Sequence, residues 1–175
     1  MACALTKGRN LPCKTGFGGV KKIYFADYGT LGTVTINADG TIDAIGGSPA
    51  WFEYDVKGNS SLESTVNSSR ENGTTFFSQT INITLAFLDN ATQQELQLIC
   101  VSRPHVVVED YLGKQYLCGI ENGCEVTGGT VVTGAAAGDL YGFTLVLEGQ
   151  EEKAPAFVDA GVITASSVTP IDPNA

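Results

Sequence analysis

The sequence predicts a mainly β domain, a sandwich or half-barrel with one flanking α-helix and one long projecting hairpin. Three observations predict it. Charged residues are only 17% of the 175, while glycine reaches 21; with the abundant Thr, Val and Asn this suits strands and turns better than helices. Residues 59–88 read as one β-hairpin around Asn72-Gly73, a pair that favours the left-handed backbone of a tight turn. Only one stretch, about residues 90–102, has an apolar period that fits a helix.

The elements follow in order. Residues 1–19 hold Pro12, Gly16, Gly18 and Gly19 with a basic bias (Lys7, Arg9, Lys14), and read as a loop-like segment. Val20 to Tyr28 alternates, with Ile23 and Phe25 on one face and Tyr24 on the other. Leu31 to Asn37 and Thr41 to Ile45 form a hairpin closed by Ala38-Asp39-Gly40. Trp51 to Val56 is an aromatic strand leading to the long hairpin. In the returning half of that hairpin Ile81, Ile83, Leu85 and Phe87 alternate with Asn82, Thr84 and Ala86, so one face is apolar. Around the turn, Val66 to Thr75 has almost nothing to bury. A pair of strands with a buried base and a polar tip is an arm that reaches another molecule.

Asp89-Asn90 caps the helix, and Leu96, Ile99 and Cys100 fall on one face toward a core. Arg103-Pro104 ends it. His105 to Glu109 and Gln115 to Ile120 form a further hairpin. Residues 121–139 read as a glycine-rich loop, and Tyr141 to Glu151 as a strand with Phe143, Leu145 and Leu147 inward, Thr144 and Val146 outward. Residues 1–160 are taken as one β-rich domain and 161–175 as an extended tail. A chain of this size buries about 70% of its unfolded surface, ample for one core.

Catalytic and metal patterns are sparse. His105 is the only histidine, and it reads as a strand residue with a hydrogen-bonded ring. The carboxylate pairs Glu109-Asp110 and Glu151-Glu152 sit at turns or strand ends, where solvated pairs are ordinary. Neither Thr15–Lys22 nor Gly134–Asp139 has the spacing of a phosphate loop. The cysteines, Cys3, Cys13, Cys100, Cys118 and Cys124, are odd in number with no C-x-x-C, which argues against zinc and for reduced thiols; Cys100 is expected buried. No calcium loop and no apolar run of membrane length occurs. The sequons at Asn59, Asn67, Asn72, Asn82 and Asn90 are read as an Asn-rich β surface, since no leader pattern precedes them. The expectation is a protein that is not an enzyme and uses no cofactor or metal.

The net charge is −9. It argues against a general grip on nucleic acid, which needs Lys and Arg against phosphate. It leaves two readings open, plain solubility or a surface that DNA passes without sticking.

The stretches Ser69–Phe77, Arg103–Asp110 and Gly138–Leu145, with the element order around them, resemble the structural proteins of tailed bacteriophages, and the tail tube family in particular, over most of residues 1–160. That resemblance implies subunits forming hexameric rings whose β-strands join into a continuous barrel, stacked into a DNA-conducting tube. It implies a virion protein assembled in the bacterial host cytoplasm. Its partners would be copies of itself, other tail proteins and passing DNA, with no membrane. Interface candidates on this reading are Ser69, Arg70, Glu71, Asn72, Gly73 and Thr74 at the hairpin tip, and Thr144 and Val146 on a strand expected to lie at an open sheet edge. A capsid decoration or neck-ring protein is the first alternative. A sugar- or cell-surface-binding sandwich using Trp51, Phe52 and Tyr54 is the second.

Overall fold

The structure, a computed structural model, describes residues 5, 7–56, 58–166 and 169–174. It is a mainly β sandwich of two sheets with one helix, and no barrel closes. The strands are β1 (Val20–Ala26), β2 (Val34–Ile36), β3 (Ile42–Ile45), β4 (Phe52–Asp55), β5 (Ser61–Ser69), β6 (Thr74–Ala86), β7 (His105–Asp110), β8 (Gln115–Cys118), β9 (Glu125–Val132), β10 (Gly142–Glu151) and β11 (Ala156–Val158); α1 is Asn90–Val101. A seven-stranded sheet runs β2-β3-β11-β8-β7-β1-β4, and a four-stranded sheet runs β5-β6-β10-β9.

Period-2 alternation builds the space between the sheets. Ile23 and Phe25 of β1, Val106 and Val108 of β7, Ile81 and Ile83 of β6 and Phe143, Leu145 and Leu147 of β10 meet there, closed at one side by Leu96 and Ile99 of α1. The other face of the large sheet carries a second core of Tyr24, Ile42, Trp51, Val107, Leu117, Val158 and Ile163. β1 and β7 are therefore apolar on both faces.

The helix starts where expected: the Asp89 carboxylate accepts from the Thr92 N–H at 2.8 Å. Cys100 does not join Leu96 and Ile99; it is exposed, because it lies on the flank of the helix. The stretch expected as a glycine-rich loop contains β9, an edge strand paired along β10. Of its two glycines only Gly129 serves close packing, since a Cβ there would come within 2.7 Å of the Thr144 carbonyl. β10 is consequently an interior strand between β6 and β9, not an open edge. β11 was not foreseen, and packing continues past residue 160: Ile163 is buried, and the Ser166 N–H donates to the Trp51 carbonyl at 2.7 Å.

β6 ends one residue earlier than its alternation suggests. Phe87 leaves the apolar row and adopts φ +76°, a backbone that costs a bulky residue about 1–3 kcal/mol.

Candidate assembly surface

The β5–β6 hairpin outruns its sheet. β10 accompanies β6 only as far as the Glu151–Phe77 pair, while β5 pairs on through Asn67–Phe76 and Ser68–Thr75 to Ser69–Thr74. Beyond Phe77 the arm is a bare two-stranded ribbon. Its turn is the four-residue loop 70–73, not a two-residue one. Gly73 alone takes positive φ (+63°), and the Asn72 N–H leans on the Ser69 hydroxyl at 3.3 Å. Ser69, Arg70, Glu71, Asn72, Gly73 and Thr74 thus share one tip.

Thr144 and Val146 lie elsewhere. Both are half-buried on the outward face of β10, and Thr144 pairs with Thr84, ten residues along β6 from Thr74. That separation is on the order of 30 Å. Thr144 is tied to its neighbour strand, its hydroxyl 2.6 Å from that of Thr130.

Strand register assembles a surface that no single segment displays. β5, β6, β9 and β10 contain no Lys or Arg. On the face turned away from the core, Glu63 pairs with Thr80, Thr80 with Glu148, and Glu148 with Glu125. Three carboxylates stand in one row straight across the sheet, among Ser, Thr and Asn. Among the described residues, Glu148 alone of the three has a side-chain hydrogen bond, accepting from Ser78 at 2.8 Å. Facing carboxylates on adjacent strands repel. A sequence that keeps them spends stability on the charge of this face.

Both outer strands of the sheet, β5 and β9, lack the proline and lysine that usually blunt an edge. Each edge is flanked by a recess, the one beside β5 lined also by Ser60, Ser61, Ser64 and Asp110. Beside β9, under α1, a groove of about 390 Å³ is lined by Leu96, Cys100, Val126, Val131 and Phe143 among others. Beside β5 a cleft of about 440 Å³ is lined by Phe17, Val20, Leu62, Val108 and Tyr116 among others.

His105, Glu151, Cys118 and Cys124 are buried in the fold. His105 is buried; its Nε2 accepts from the Gly29 N–H at 3.0 Å and its Nδ1–H donates to the Gly119 carbonyl at 2.5 Å. Burial lowers its pKa, against the opposing pull of the Gly119 carbonyl and the Glu151 charge. Glu151 is not a solvated strand-end acid: it is buried, and its carboxylate accepts the N–H groups of Glu121 and Asn122 at 3.0 and 2.9 Å. Burial pushes the Cys118 thiol well up and that of Cys124 to about 12, so both stay protonated. Trp51 is buried in the second core and offers no platform to a sugar. No group of three or more His, Cys, Asp or Glu among the described residues is arranged to hold a metal ion. No helix among them is long and apolar enough to cross a membrane.

Comparison with protein families, with curated proteins and with solved structures finds no match to this chain.

Proposed function

We propose that this chain is a non-enzymatic structural subunit that assembles head to tail into rings, and that the rings stack into a tube conducting DNA, as its resemblance to phage tail tube proteins implies. The observation that carries this reading is the outward face of the four-stranded sheet, hydroxyl-rich, acidic and free of cations. Such a face turned to a channel repels phosphate and lets DNA slide.

Strand parity supports the ring. The sheet has four strands, each antiparallel to the next, so β5 and β9 run in opposite directions. When β9 of one copy meets β5 of the next around a rotation axis, the new pair is antiparallel as well. The row of backbone groups continues without a break, and closure removes every edge. The recesses beside both edges take the apolar side chains that such pairing brings over, Val66 and Val131 among them, each more than half exposed in the single chain.

On this reading the protein is a virion component made in the host cytoplasm, with copies of itself and other tail proteins as partners. Negative-stain electron microscopy of the purified protein tests it. Hollow tubes or stacked rings support it, single closed rings favour the neck-ring alternative, and a monomer at all concentrations rejects assembly.

A further inference from the structure

Phe87 is the one residue other than glycine with positive φ among the described residues. The turn from β6 into α1 needs that backbone, and Gly or Asn supplies it without strain. Burial does not offset the strain, since Phe87 is 49% exposed. It meets the ring of Tyr141 edge to face, centroids 5.9 Å apart, and Tyr141 is 46% exposed. The Phe87 N–H donates to the Tyr141 carbonyl at 2.7 Å, which fixes the pair at the end of the sheet. A strained backbone that holds an aromatic pair in solvent points to a surface with a use.

The pair lies at the end of the four-stranded sheet opposite the hairpin tip, because β6 runs from Thr74 at the tip to Ala86 beside Phe87. The segments that carry it, residues 86–90 and 133–142, hold Asp89 and Asp139 and no lysine or arginine. The Asp139 carboxylate accepts the Ala136 and Ala135 N–H groups at 2.8 and 2.9 Å, which hold it in its charged form. The tip presents Arg70, exposed and without an ion pair among the described residues, next to the exposed Glu71. One end of the molecule thus offers a cation on an arm, and the other offers aromatic faces beside acid.

We propose that the Phe87–Tyr141 pair is the seat for the hairpin tip of a second copy of this chain, with the guanidinium of Arg70 lying against the rings. The inference rests on the assembly reading and assigns the axial contact within it. Tip and seat are fifteen residues apart along β6, from Asn72 to Phe87, so stacked rings repeat at a spacing on the order of 40 Å once strand tilt is allowed for.

The test compares parent, Phe87→Gly and Arg70→Glu by electron microscopy and sedimentation velocity. Glycine suits the backbone of residue 87, and Arg70 is exposed on the tip, so both variants fold. The expected result is that each variant still forms rings while stacks fall at least tenfold against the parent. Variants that form tubes like the parent overturn the seat and leave the assembly reading standing. Variants reduced to monomers overturn it too, since the contact would then be lateral. A parent that never leaves the monomer removes the assembly reading and this inference together.

Discussion

Gln79 and His105 hold the same residue, Gly119, from opposite sides. The Gln79 side-chain oxygen accepts the Gly119 N–H at 3.0 Å, and the His105 ring donates to the Gly119 carbonyl. Both side chains are fully buried, and they join β6 of the small sheet to β7 and β8 of the large one. Buried polar groups satisfied in this way fix one relative position of the two layers.

Acid should weaken this joint. Burial lowers the pKa of His105 below its ordinary 6.5, so the unfolded chain binds a proton at higher pH than the folded one. The stability this contributes is fully present above about pH 6.5 and is lost as pH falls through the folded value. The urea midpoint of the parent should drop between pH 7.5 and 5. His105→Gln should be less stable throughout and show a flatter profile. A parent equally stable at both pH values contradicts the assignment.

The apolar row of β10 is core. Leu145→Ala should cost about 2–5 kcal/mol by equilibrium unfolding. Thr144→Pro removes a donor from a strand paired on both sides and should unfold the monomer, with loss of the β signal in circular dichroism. A folded Thr144→Pro protein would mean that the strand lies at an edge.

Charge on the acid row is a separable property. Glu125→Gln relieves the repulsion with Glu148 and should raise stability by about 0.2–1 kcal/mol. Replacing Glu63, Glu125 and Glu148 together by Lys should create DNA binding that weakens steeply with salt, measured by fluorescence anisotropy at two ionic strengths. No binding at low salt would show that this face does not govern contact with DNA.

Deleting 69–74 and closing the hairpin with a short turn should leave a folded monomer, because nothing in the sandwich cores lies beyond Phe77. On the assembly reading the product forms rings without stacks. Tubes as long as those of the parent would exclude the arm as the axial element.

Much of the fold is legible in residue order, and the reasons are local. The alternation of Ile81, Ile83, Phe143, Leu145 and Leu147 is a direct image of a half-buried sheet, and the Asp89 cap and the Arg103-Pro104 stop delimit the helix. β9 escapes such reading because an edge strand buries little and its paired glycines, Gly128 and Gly129, look like a loop. β11 is too short to carry a period. The surface is harder still. Glu63, Thr80, Glu125 and Glu148 are scattered over 86 residues and become a row only through register. Phe87 continues the apolar alternation on paper, and only its backbone shows that it left the core.

The position of β11 has a consequence for how the chain is made. It lies between β3 and β8, pairing with both, so it alone links the β2–β3 hairpin to the rest of the large sheet. Val158 and Ile163 then close the second core over residues as early as Tyr24. A nascent chain paused before residue 156 therefore holds an orphaned hairpin and a bare β8 edge, however complete its smaller sheet. Contacts this far apart in sequence form late and slowly. The large sheet is thus completed only when residues 156–158 enter between an early strand, β3, and a late one, β8.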